Sequence, residues 1–339
     1  MMTTKRRFTH FAVAAIATVT LTFCGNLINA SNATAEKIKI RIGTVVNGDH
    51  PENVGARKME ELIEAKAGDR VDVQVFTSSQ LGNQRTMVEN LRNGVLEITW
   101  VTTGFFGSYE PILNVLECGY LFRDSEHSYK VFDGPIGDEV KVLVDKHGVK
   151  VLGFFEAGMR HVTTTDKAIN GPADLKGLKI RTPKAKYHLN TLKYMGANPV
   201  PMAFSELYTA MQTGVVDGQE NPVSNIYNAK FYEVNEYIAL TGHLHLTHMV
   251  MYSEKLWNKL PADIQAIVKE AVIEAQEIQR AAVRKDDATL LAELKANGMQ
   301  VTEPDRAAFR ESVLPLREEA VREFGPEAQD IIDRIEATK

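Results

Sequence analysis

Arg181 closes a short apolar run, Leu178-Lys179-Ile180-Arg181, and Asn221 stands in the polar segment Asp217-Gly218-Gln219-Glu220-Asn221-Pro222. A guanidinium is permanently charged, and its planar fork of N–H donors matches a carboxylate. An amide both donates and accepts, which suits a carboxylate edge or a hydroxyl. This is chemistry for holding an anion rather than transforming it, although an Arg at a strand end is otherwise a surface ion-pair residue. No nucleophile stands with its base nearby, and the chain has no G-x-S-x-G elbow, H-E-x-x-H, Walker loop or G-x-G-x-x-G. His243, His245 and His248 raise a metal reading, since His243 and His245 share a face of an extended segment. No Cys or carboxylate beside them completes a tetrahedral site, so a pocket-edge or surface role is the better reading. The residues imply no cofactor and no catalytic set.

The elements that position Arg181 and Asn221 run from Gly177 to Asn225. A strand ends at Arg181, and a helix stops at Gly196. A Pro-punctuated strand follows (Asn198 to Met202), then a helix from Ser205 to Thr213 and the polar tip Asp217 to Pro222. This β-α-β-α-β rhythm places loops at strand ends, where α/β proteins bind ligands. The same alternation precedes it. Strands are read at Ile38–Thr44, Val71–Val75, Leu96–Val101 and Val149–Phe155, with helices after Pro51, after Ser78–Gln84 and around Ser125–His147. Val250–Tyr252 reads as a further strand. A long helix runs from Pro261 to about Asn297 with Ile264, Ile267, Val268, Val272 and Ile273 on its apolar face, and helices near Arg306–Phe324 and Glu327–Ile335 close the chain. The expectation is βαβ units in mostly parallel sheets, in two lobes joined without a flexible linker.

The chain has 339 residues, 44% of them hydrophobic, enough for two lobes. Net charge is −5. Lys5, Arg6 and Arg7 are the only charges among the first 35 residues, so the remainder carries 36 basic against 44 acidic residues. That acidic balance excludes an electrostatic footprint for nucleic acid. Lys5-Arg6-Arg7, the apolar run Phe11–Phe23 and Ala33-Thr34-Ala35 read as a signal peptide cleaved near Ala35, and hence as an exported product. After cleavage Cys118 is the one remaining Cys. It sits in an apolar run and reads as a buried small hydrophobe.

From about Ile38 to the C-terminus the chain resembles the TRAP-transporter periplasmic solute-binding proteins, the DctP-type family. The matching pieces are Ser79-Gln80-Leu81-Gly82, Gly158-Met159-Arg160, Asp174 to Arg181, Pro201 to Tyr208, Gln212 to Pro222 and Lys230 to Val234. The resemblance implies an α/β two-lobed clamshell, with flanking helices and a long C-terminal helix crossing the hinge. Its parts are a signal peptide (1–35), lobe I (36–157 and 247–286) and lobe II (158–246 and 287–339). It also implies a monomer that traps a small organic anion and delivers it to a small and a large membrane subunit, with no catalysis. The family's selectivity arginine falls on Arg181, a second cation on Arg160 and the amide on Asn221. An aromatic falls on Phe204, and Gln84 and Thr102 lie on contributing loops. That Arg160 and Arg181 converge is implied by the resemblance alone. Where sialic-acid members carry a Glu and an Arg, this chain has Thr102 and Phe105, which argues against that ligand.

Three more residues complete the candidate set. His50 precedes Pro51 in a loop at a strand's C-terminal end, within reach of a ligand. Tyr187 and Asn225 adjoin the Arg181 and Asn221 motifs, and for both a pocket role and a packing role are open. Hydroxyl-reading groups around Asn47–His50, Gln84, Tyr187 and Asn225 lean the ligand toward a sugar acid, an aldonate or uronate. A C4-dicarboxylate is the alternative within the family. An exported enzyme acting on organic acids and a ligand-loaded sensor partner are alternatives outside it.

Overall fold

The computed structural model describes residues 36–339, so the expected signal peptide and its cleavage site lie outside the described residues. Among the described residues nine strands form one mixed sheet: β1 (Ile38–Gly43), β2 (Val71–Phe76), β3 (Ile98–Thr102), β4 (Val149–Thr164), β5 (Lys179–Thr182), β6 (Asn198–Pro201), β7 (Gly218–Pro222), β8 (Tyr237–Ser253) and β9 (Gln300–Thr302). Their order is β2-β1-β3-β8-β4-β7-β5-β6, with β9 beside β8. On one side β2, β1 and β3 are parallel; on the other β6, β5 and β7 repeat the same order. Helices Glu52–Ala67 and Gln84–Asn93 make the crossovers of the first set, and Lys186–Tyr194 and Leu207–Gln212 those of the second. Each set follows from β-branched strands alternating with amphipathic helices.

Five of the eight strand pairings are parallel, while β4 and β8 run antiparallel to each other and to β7 and β3 through the middle. Two expectations need correction. The apolar segments read as Val149–Phe155 and Val250–Tyr252 are each one end of a long strand, whose remaining length mixes polar and apolar residues, most of them buried. Finally, the polar tip Asp217–Pro222 is largely β7, and all five of its residues are buried. Polar side chains there meet strand neighbours instead of water: Gln219 Nε2 donates to Thr163 Oγ1 at 2.9 Å, and Glu220 meets Arg160. A polar composition suggests a loop; lateral hydrogen bonds make it a strand.

β4 is bent by three irregularities of register against β8, one between Glu156 and Gly158. Gly158 has φ +100°, and a Cβ there would lie 3.1 Å from the Pro222 ring. A bulge that re-aims a strand uses a glycine in this way. The long helix Ala262–Ala296 packs across this bend. Its Gln276 and Gln279 side chains accept from Phe154 N at 2.7 Å and Glu156 N at 2.8 Å, and Gln279 Nε2 donates to Glu156 O at 2.8 Å. Ile264, Val268 and Val272 of the expected apolar face are fully buried, whereas Ile273 is exposed. Among the described residues no helix is long and apolar enough to cross a membrane.

Candidate functional site

The C-terminal ends of β1, β3, β5 and β7 deliver Val45, Thr102, Arg181 and Asn221 to one region, and the middles of β4 and β8 deliver Arg160 and His248. Three adjoining chambers, of about 40, 250 and 290 Å³, share Val45 and Phe204 in their walls. The smallest gathers Gln84, Thr102, Arg160, Arg181, Phe204, Asn221 and Asn225, seven of the nine residues named from sequence. An open hollow elsewhere, of about 610 Å³, is lined by Arg123, Arg306, Arg310 and Arg317. Arg123 and Arg317 are held there by main-chain carbonyls, and Arg317 also by Glu336, which makes it a weaker candidate.

Arg181 is 2% exposed. Its Nε and Nη2 both donate to Met202 O, at 3.0 and 2.6 Å, which fixes the plane of the guanidinium. Nη1 is buried and has no hydrogen-bond partner among the described residues. Burial pushes this guanidinium down to about 9; Arg160 adds to the shift while Glu220 and Glu206 oppose it, so the group is still cationic at neutral pH. A desolvated donor with no acceptor is costly unless a ligand supplies one.

Arg160 is not a bare cation. Its Nε and Nη2 lie against the Glu220 carboxylate, with Nη2 at 2.9 Å from Oε1. In the β4–β7 register Val162 faces Glu220, so Arg160 is its diagonal neighbour on the same sheet face. Thr182 Oγ1 donates to Glu220 Oε1 at 2.7 Å, and His243 Nε2 lies 3.2 Å from Oε2. Burial works to raise the Glu220 carboxyl, but Arg160 and His243 outweigh it and hold the group well below the usual carboxylate range. Nη1 of Arg160 makes no hydrogen bond among the described residues, so it too is available to the chamber.

The amides are set by neighbours. Asn221 Nδ2 donates to Gln219 Oε1, leaving its Oδ1 as an acceptor. His50 Nδ1 accepts from Glu52 N at 3.1 Å, so its Nε2 carries the proton donated to Asn225 Oδ1 at 3.0 Å. Asn225 therefore presents its NH₂ group. His50 is 1% exposed, pushed down to about 4 by burial, and lines the chamber of about 290 Å³ next to Asn225. Gln84 opens helix Gln84–Asn93, capped by the Asn83 side chain accepting from Thr86 N at 3.0 Å. The loop before it passes through Ser78 and Ser79 with φ +55° and +58°, pinned by Ser78 N to Val46 O at 2.7 Å and Ser79 N to Thr44 O at 3.0 Å. Phe204, half-buried, tilts against Phe231 with ring centroids 5.7 Å apart.

Of the two roles left open for Tyr187, its place in the structure favours packing. It is fully buried, its ring beside Phe324 and its hydroxyl 3.5 Å from Glu323 Oε2, and it lines none of the chambers. It lies on the core side of Lys186–Tyr194, while the adjacent His188, about 100° round the helix, lines the small chamber.

Three residues that the sequence did not single out belong to the site, Glu52, His188 and the Glu220 that holds Arg160; His248, read from sequence as a pocket-edge or surface residue, lines the small chamber. Four buried histidines lie beside a carboxylate: His188 with Glu117 at 2.7 Å, His243 with Glu220, His245 with Glu156 at 3.1 Å and His248 with Glu52 at 3.6 Å. Glutamates scattered over the chain offer no local spacing by which to find these pairs. Among the described residues no group of three His, Cys, Asp or Glu side chains could hold a metal ion.

The sequence matches the DctP family, bacterial extracellular solute-binding protein, family 7, over residues 42–323. It is 30% identical over 316 residues to the 2,3-diketo-L-gulonate-binding periplasmic protein YiaO of Escherichia coli (strain K12), covering 93% of this chain and 96% of that one. A TRAP periplasmic solute-binding protein from Polaromonas sp. JS666 bound to D-erythronate has 36% identity and a TM-score of 0.85, over 89% of this chain and 99% of that one. The sugar acid binding protein DctPAm from Advenella mimigardefordensis strain DPN7T, in complex with galactonate, has 30% identity and a TM-score of 0.86, over 89% and 99%. With the fold, the paired half-sheets and the family match in agreement, this chain belongs to the DctP family of two-lobed TRAP-transporter solute-binding proteins.

Proposed function

We propose that this chain is the periplasmic substrate-binding subunit of a TRAP transporter. It captures the carboxylate of a sugar acid, an aldonate or uronate, on Arg181 and passes it unchanged to a small and a large membrane subunit. The observation that carries this reading is the buried Nη1 of Arg181, without a partner in a chamber that also holds Arg160 and Asn221. Met202 O takes one side of the guanidinium, and the Nη1–Nη2 edge is left to meet a carboxylate with two parallel bonds. Asn221, Asn225, Gln84 and Thr102 then read hydroxyls, and Phe204 closes over the carbon chain.

The protein acts as a monomer, exported by its leader. Lobe I comprises 36–157 and 247–286, lobe II 158–246 and 287–339, and the first two boundaries fall at the Glu156–Gly158 bulge of β4 and beside Leu246 of β8. His50 with Asn225, and Glu117 with His188, then join opposite lobes, so the clamshell is closed. A ligand shifts the open–closed balance only through bonds that it makes in the closed state and lacks in the open one. Thermal denaturation with D-galactonate, D-erythronate and D-glucuronate tests the reading. A ligand at a hundred times its Kd adds about 2.7 kcal/mol, a rise of about 5 °C or more in Tm. No rise with any carboxylate overturns it.

A further inference from the structure

Glu52 opens helix Glu52–Ala67 and forms part of the wall of the small chamber, 3% exposed. Its Oε2 accepts from Trp100 Nε1 of β3 at 3.0 Å and lies 3.6 Å from His248 Nδ1 of β8. Its Oε1 makes no hydrogen bond among the described residues. The charged and titratable groups around it are Arg160 of β4, His248, and His50 two residues before it; across the chamber stand Arg181, Glu220 and the Glu117–His188 pair. His50 and His248 are both neutral, held down by burial to about 4 and about 3. Burial raises the Glu52 carboxyl to about 7, against the opposing pull of the Trp100 hydrogen bond and the Arg160 charge.

The buried charges close on a simple count. Arg160 and Arg181 supply two positive charges and Glu220 one negative charge, while Glu117 has its own partner in His188 at 2.7 Å. One ligand carboxylate completes the balance only when Glu52 is uncharged. A second carboxylate, or an ionised Glu52, leaves a buried negative charge without a partner, which is strongly unfavourable.

We propose that Glu52 is the residue that restricts this site to monocarboxylates: in the bound state it is protonated and donates from Oε1 to a hydroxyl or carbonyl oxygen of the ligand. This rests on the sugar-acid reading above and adds a prediction that reading does not make. At a pH where Glu52 is ionised in the free protein, binding draws one proton from the buffer onto the Glu52 carboxylate. With a free-state value of about 7, uptake approaches ~0.9 proton at pH 8 and falls to ~0.1 at pH 6. The apparent Kd weakens about tenfold from pH 6 to pH 8.

Calorimetry on the whole protein in two buffers of different ionisation heat, with the tightest binder among D-galactonate, D-erythronate and D-glucuronate, measures the uptake directly. The expected result is near one proton at pH 8, near none at pH 6, and succinate at least a hundredfold weaker than that ligand. Glu52→Gln is expected to bind with the same affinity at both pH values and with no proton uptake. Wild-type binding at pH 8 without uptake overturns the proposal even if the variant fails to fold, as does succinate matching the monocarboxylate. In either case the Arg181 reading stands. Failure of all carboxylates to bind the wild type overturns both.

Discussion

Replacing Arg181 separates its two jobs. Three of its five N–H bonds are free for a ligand, because Met202 O takes one from Nε and one from Nη2. A carboxylate on the Nη1–Nη2 edge accepts two charge-assisted bonds, each of about 1.5–3 kcal/mol. Arg181→Met removes both, a loss of about 3–6 kcal/mol, or ~10²–10⁴-fold in Kd. Folding responds less. Met202 O loses two donors, at about 1–3 kcal/mol, while the chain no longer buries a desolvated cation facing Arg160. The two effects oppose, so the Tm without ligand stays within about 5 °C of wild type. Arg181→Lys keeps the charge, but an ammonium cannot serve Met202 O and both ligand oxygens with the same geometry, so binding still falls about a hundredfold or more. Calorimetry and thermal denaturation with D-galactonate, D-erythronate and D-glucuronate distinguish these outcomes. A Met variant that keeps the wild-type Kd and ligand-induced Tm shift refutes the assignment.

Glu220→Gln strands the Arg160 guanidinium inside the protein, and unfolding should require about 3–5 kcal/mol less; denaturant titration reads this, and an unchanged midpoint would mean that Arg160 finds another counter-charge. Gly158→Ala forces φ +100° on a residue with a Cβ against Pro222, so a Tm several degrees lower and weaker ligand binding are expected together, the latter because Arg160 lies two residues on. Stability should fall as pH drops from 6.5 toward 4. His50, His161 and His248 remain neutral when folded down to about 4, 3 and 3, whereas the unfolded chain binds those protons near 6.5. Glu52 and Asp287, raised to about 7, act oppositely between 7 and their unfolded values. The two carboxyls nearly cancel the three histidines at pH 6.5; the net excess in the unfolded state reaches about one proton by pH 5.5, and from there to pH 4 the slope is about 1.4 kcal/mol per pH unit, so urea midpoints that are flat over that range would contradict the buried neutral histidines.

What the sequence determined by itself was local and periodic. Alternating Ile38, Ile40 and Ile42 and the spaced Val71, Val73 and Val75 specify strands, because one buried face repeats every second residue. Glycines and prolines marked helix ends, and the run of motifs from Ser79 to Val234 carried the family and with it Arg181, Arg160 and Asn221. Tertiary structure decided everything that depends on which polar groups meet. Polar yet buried, β7 reads as a loop until β4 and β5 supply its partners. Arg160 reads as a free cation until β7 brings Glu220 to its fork. Tyr187 and His188 are adjacent in sequence, and only the packing of their helix sends one to the core and the other to the ligand chamber. Burial is collective: a glutamate such as Glu52 has no unusual chemistry in its own neighbourhood of sequence, and acquires it when Trp100 and His248 remove water from around it.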